Sequence, residues 1–140
     1  MNGPLELTLR NDFSELGRIQ PLVREFLDRN EVSETAVYTV ELAIEEVVTN
    51  IIKYAFPDVG TREIRVGLTV KKDRAVLRFE DDGTSFDPSR CPQEEPPGTL
   101  AERRAGGLGL RLMHSLVDGI EYRRSGGRNR LQVWVTLVER

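Results

Sequence analysis

EEVVTNIIKY, residues 45–54, carries the first legible chemistry in the chain. On a helix, Glu46, Asn50 and Lys53 project within about 60° of one another. They border a broad apolar stripe of Ala36, Val40, Ala43, Ile44, Val47, Val48 and Ile51. An acid, an amide and an amine aligned in this way can serve as base, metal ligand and phosphate contact. A solvated helix edge with a Glu/Lys pair fits the same spacing. Glu45 points about 100° away from this group and is set aside. Ser33, with Asn30 before it and Ala36 after it, makes a helix entry, and Pro57 and Gly60 end the segment. The spacing therefore predicts a helix over 33–55.

Working outward, residues 62–71 and 74–81 alternate apolar and polar side chains and meet at Lys72-Asp73, the pattern of two strands. Strand parity puts Asp81 on the same face as Leu77 and Phe79, toward the helices. An acidic side chain at that strand end can accept a hydrogen bond from an exocyclic amine such as adenine's. Asp82-Gly83 equally suits a plain turn. LELTLR, residues 5–10, reads as a short strand, and Phe13 to about Leu27 has helical spacing. Two closing strands are expected over about 119–125 and 130–138, with Leu131, Val133, Val135 and Leu137 on one face. These elements predict an α/β (α+β) two-layer sandwich, a mixed sheet with helices on one side. Its other face would carry Glu6, Thr8, Arg65, Thr69, Arg78, Glu80 and Trp134. That tryptophan reads as an aromatic shielded by long side chains or as a partner or dimer contact.

RAGGLGLRLM, residues 104–113, places Gly106, Gly107 and Gly109 before a helix expected from Leu108 to Val117. Each glycine disfavours helix by about 1 kcal/mol relative to alanine. No Gly-Lys-Ser/Thr follows, and Leu112 stands where a dinucleotide fingerprint needs its third glycine. A glycine-rich turn opening onto a helix N-terminus remains, where bare N–H groups favour a phosphate. Hinge glycines are the alternative. Residues 84–105 hold four prolines and break every pattern, as a functional lid or a disordered loop would.

The chain has 140 residues, 39% hydrophobic and 31% charged, which suits one soluble globular domain over 1–140. A net charge of −3 argues against nucleic-acid binding through bulk positive charge. The single cysteine, Cys91, excludes an internal disulfide and a cysteine-based zinc site, and it suits a cytoplasmic setting. No secretory pattern opens the sequence, and no run reaches the roughly 20 apolar residues of a membrane span.

Taken in order, these segments resemble the GHKL ATPase superfamily, with its Bergerat ATP-binding fold. EVVTNIIKY is similar to the N box, DDGTSFDP to the G1 box in its D-x-G-x-x-F-D form, and GGLGL to the G2 box. Within the superfamily the resemblance is greatest to anti-sigma-factor serine kinases of the RsbW and SpoIIAB type, and it covers nearly the whole length.

The resemblance implies a protein-serine kinase using ATP and Mg²⁺. It implies that Glu46 is the general base, that Asn50 holds the metal and that Lys53 lies near the phosphates. Asp81 would read the adenine amine, with Gly83 and Phe86 of the same box beside the base. Gly107, Gly109 and Leu110 would offer N–H groups to phosphate oxygens. Residues 84–105 would be the ATP lid, with Arg103 or Arg104 a phosphate contact. Implied partners are a STAS-domain anti-anti-sigma protein, whose serine accepts the phosphate, and a sigma factor sequestered by a homodimer. Neither nucleic acid nor membrane is implied. A non-catalytic partner-switching module and a histidine-kinase-type ATPase domain are the alternatives. No phosphoacceptor helix pair is read ahead of the N box, and the only histidine, His114, falls in the third helix. Two departures stand out: GGRNRLQV, residues 126–133, lacks the threonine or serine that helps bind nucleotide in many relatives, with Asn129 a substitute for that contact, and Tyr54 stands where close relatives often have histidine.

Overall fold

The computed structural model describes residues 3–56, 60–90 and 100–137, with backbone alone for 100–107. The elements run β1 (Leu5–Arg10), α1 (Ser14–Arg29), α2 (Glu34–Tyr54), β2 (Glu63–Val70), β3 (Arg74–Asp81), α3 (Leu100–Leu116), β4 (Gly119–Ser125) and β5 (Arg128–Thr136). Ser33 caps α2 as its sequence suggests, its Oγ accepting a hydrogen bond from the Ala36 N–H at 3.3 Å. The closing hairpin turns at Gly126 and Gly127, whose φ values of +60° and +73° are accessible to glycine at little cost.

The five strands form one sheet in the order β1-β2-β3-β5-β4. Every neighbouring pair is antiparallel, which corrects the expected mixed sheet. The reason is topological. The crossover through α3 joins β3 and β4, which run the same way, but β5 inserts between them and opposes both. The two-layer arrangement itself is as expected, with the helices covering one face.

That covered face holds the core. Leu9, Ile64, Val66, Leu68, Leu77, Phe79, Leu131, Val133 and Val135 meet Ile19, Val23 and Leu27 of α1 and Val40, Ile44, Val47 and Ile51 of α2, all buried. Burial of this alternating set is the main stabilising term, at about 25 cal/mol per Å² of apolar surface. The open face is charged. Arg78 pairs with Glu6 at 2.9 Å, and Arg128 and Arg130 with Glu80 at 3.1 and 3.6 Å. Trp134 lies there half-buried, opposite Val76 on one side and Gly119 on the other. A side chain at Gly119 would meet its ring at 3.0 Å, so the tryptophan lies over its bare neighbour.

The third helix begins at Leu100, not at Leu108. Leu100-Ala101-Glu102-Arg103-Arg104-Ala105 is a run of strong helix formers, and it carries the helix through all three glycines. The glycines therefore sit inside α3 rather than ahead of it. Of the expected lid, residues 84–90 pack as a turn and 100–105 join α3. Cys91 and the rest of 91–99 lie outside the described residues. Among the described residues no helix is long and apolar enough to cross a membrane.

Candidate functional site

The site assembles around the second half of α2. The apolar stripe anchors this helix on the sheet, and the border residues Glu46, Asn50 and Lys53 emerge beside it. Asn50 is buried at 3% exposure, Glu46 is half-buried and Lys53 is exposed.

The segment after β3 docks along α2 at three points. The Ala55 carbonyl, at the helix C-terminus, accepts hydrogen bonds from the Thr84 N–H at 2.8 Å and the Thr84 hydroxyl at 3.2 Å. The rings of Tyr54 and Phe86 tilt against each other, 5.5 Å between centroids. Asn50 Nδ2 donates to the carbonyl of buried Pro88 at 3.3 Å. Gly83 fits this contact only because it lacks a side chain, since a Cβ would come within 2.9 Å of Ala55's carbonyl carbon and Cβ.

α3 closes the other side. A Cβ on Gly109 would fall within 2.6 Å of Glu46 Oε2 and closer still to Oε1. Gly109 thus places the α3 backbone directly against the Glu46 carboxylate. Burial, reinforced by the neighbouring Glu45 charge, pushes the Glu46 pKa up, while Lys53 pulls it down. His114, further along α3, contacts the Ser89 carbonyl of the same turn that holds Asn50.

Asp81 ends β3 on the covered face, 3% exposed, as strand parity implies. Its Oδ1 accepts from the Gly83 N–H at 2.8 Å and from Asn129 Nδ2 at 3.0 Å. Burial raises its pKa, against the lowering effect of those two donors.

The structure therefore brings Glu46, Asn50, Lys53, Tyr54, Asp81, Gly83, Phe86 and Gly109 into one neighbourhood. One expectation needs correction. The N–H groups of Gly107, Gly109 and Leu110 do not lie at a helix N-terminus but in the interior of α3, and the Leu110 side chain is fully buried in the core. The backbone of Arg103 and Arg104 is helical, and their side chains lie outside the described residues. Sequence reasoning missed Pro88, Tyr122 and Arg124. Pro88 meets Asn50 and Arg124 meets Gly83 across 38 and 41 residues of chain, while Tyr122 reaches Asn129 across the β4–β5 hairpin, and no local pattern announces these contacts.

The donor set suits a magnesium nucleotide. The Asn50 amide nitrogen is committed to Pro88, so its oxygen is the hard donor at this position. Among the described residues no group of three or more His, Cys, Asp or Glu side chains could hold a metal. A divalent ion here would share Asn50 with the oxygens of a bound phosphate, the usual manner for Mg²⁺.

A two-layer sandwich with an acid-and-amide helix, a buried strand-end aspartate and a glycine-bearing third helix defines a class of nucleotide-binding domain. The chain belongs to the histidine kinase-like ATPase domain family, whose model matches residues 9–135. It is 32% identical over 121 residues to serine-protein kinase RsbW of Listeria monocytogenes, covering 84% of this chain and 76% of that protein. It is 29% identical over 94 residues to serine/threonine-protein kinase BtrW of Bordetella bronchiseptica, covering 67% and 66%. Its fold matches the solved RsbU and RsbW domains of a Mycobacterium tuberculosis protein with a TM-score of 0.67 at 19% identity, over 97% of this chain and 33% of that one.

Proposed function

We propose that this chain is an ATP-dependent protein-serine kinase that also acts as an anti-sigma factor. In this reading it phosphorylates a serine of a STAS-domain anti-anti-sigma partner and, as a cytoplasmic homodimer, sequesters a sigma factor. The observation that carries the reading is the juxtaposition of Glu46, Asn50 and Gly109 beside the Asp81 turn, on a fold whose named relatives are serine kinases.

Each residue has a physical role in this account. Asp81 accepts the adenine amine, and Gly83 and Phe86 shape the space beside the base. Asn50 holds Mg²⁺, which when bound neutralises phosphate charge and orients the terminal phosphoryl group. Lys53 and Arg104 supply further positive charge. Glu46 takes the proton from the attacking serine hydroxyl, the step that separates a kinase from a nucleotide binder. Gly107, Gly109 and Leu110 donate N–H groups to phosphate oxygens once that part of α3 opens. Three glycines within four positions, 106–109, lower the cost of such opening by about 1 kcal/mol each. Residues 84–105 serve as the ATP lid of a single domain.

Incubation of the chain with Mg-ATP and the STAS-domain proteins of the same organism tests the reading, with mass spectrometry locating the phosphate. Phosphoserine on one of them, lost with Glu46→Ala while ATP still binds, is the expected result. Tight ATP binding with no serine modified on any of them contradicts the kinase assignment.

A further inference from the structure

Asn129 lies directly across the sheet from Asp81, and the two are cross-strand partners in β5 and β3. Both are almost wholly buried, at 2% and 3% exposure. Asn129 Nδ2 donates to Asp81 Oδ1 at 3.0 Å and to the Thr84 carbonyl at 2.7 Å. Its Oδ1 accepts from the Tyr122 hydroxyl at 2.5 Å, from Arg124 Nη1 at 2.9 Å and from the Phe86 N–H at 3.4 Å. Both amide hydrogens and the carbonyl oxygen are thus engaged within the protein.

The orientation of this amide has a single solution. The Arg124 guanidinium and the Phe86 N–H can only donate, so the atom facing them is the oxygen. The nitrogen is thereby turned onto Asp81. With the Gly83 N–H also on Oδ1, both donors hold the same carboxylate oxygen. The other oxygen of Asp81 is the one left to meet a ligand. Arg124 further ties this network to the Gly83 carbonyl at 3.0 Å, so the strand end and the turn beneath it are held as one piece.

We propose that Asn129 is a positioning residue that sets base selectivity. Backed by Tyr122 and Arg124, it holds the Asp81 carboxylate as an oriented acceptor for a 6-amino purine, and it makes no contact with the nucleotide itself. This inference rests on the proposed reading of Asp81 as the adenine contact. A saturated amide has no donor or acceptor left for the base, so its effect passes entirely through Asp81.

The test is calorimetric binding of ATP, GTP and the triphosphate of purine riboside, which lacks the 6-amino group, to the full chain. Wild type is expected to favour ATP over both others. Asn129→Ala is expected to lose about tenfold in ATP affinity, the scale of a hydrogen bond to a charged group, with little change toward the purine analogue. The preference for ATP over that analogue then collapses toward unity. Arg124→Met, at an exposed position, keeps the fold if Asn129→Ala does not, and it is expected to lower the same ratio about threefold. Equal losses for ATP and the analogue, or an unchanged ratio in both variants, overturn the inference and leave the kinase reading intact. Failure of wild type to bind ATP at all overturns both.

Discussion

Gly109 of α3 and Glu46 of α2 touch backbone to carboxylate, with no room between them for even one methyl group. The obstructing atoms are the far end of a flexible side chain, so Gly109→Ala moves Glu46 rather than breaking the fold. Alanine also raises helix propensity by about 1 kcal/mol. The expected outcome is an unfolding temperature equal to or above wild type, with phosphate transfer reduced at least tenfold. Thermal unfolding and a single-turnover transfer assay on the same preparation check both halves.

Glu46 as base has a pH signature. Burial raises its pKa above the 4.5 of an ordinary glutamate, and only the ionised form can accept a proton. Transfer in wild type is therefore expected to fall on the acid side through a limb lying above pH 4.5. Glu46→Gln should keep ATP affinity, lose about 10²- to 10⁴-fold in rate and show no such limb. A variant with wild-type rate, or a limb at or below 4.5, contradicts the assignment.

Gly83→Ala probes the seam between β3 and α2. Its neighbour is the Ala55 backbone, which cannot rotate aside, and the φ of Gly83 lies outside the left-handed region, so the constraint is space alone. Overpacking of this kind costs about 1–3 kcal/mol. Denaturant unfolding is expected to show that loss, accompanied by weakened ATP binding as the Thr84–Ala55 hydrogen bonds loosen.

Much of this architecture was legible in local pattern. Alternation located four of the five strands and put Asp81 on the buried face, the strand over 119–125 was expected without it, and Ser33 marked the start of α2. Periodicity placed Glu46, Asn50 and Lys53 at the edge of the apolar stripe. What escaped was non-local or a matter of competing propensities. The antiparallel sheet depends on β5 inserting between β3 and β4, which no strand encodes by itself. The early start of α3 reflects six good helix formers outweighing the glycines that follow. The Asp81–Asn129 pair spans 48 residues of chain, and only the strand register reveals it.

Glu15 offers a stability test away from the site. Its buried carboxylate accepts from Arg18 Nε and Nη2 and from the Arg10 N–H, each at 3.0 Å, and these bonds lower its pKa to about 2. Because the folded pKa lies below the unfolded one, its contribution is present above about pH 4.5 and is lost as pH falls toward 2. Glu15→Gln is expected to melt below wild type at neutral pH and to show a flatter dependence of Tm on pH across that window.

The central claim is that three separated segments build one pocket for a magnesium nucleotide. Titrating the full chain with Mg-ATP in a calorimeter tests it most directly, with Asn50→Ala and Asp81→Asn measured alongside. One ATP bound per chain, lost in both variants while each still unfolds cooperatively, is the predicted result. No heat with any adenine nucleotide, or wild-type binding by both variants, would contradict it.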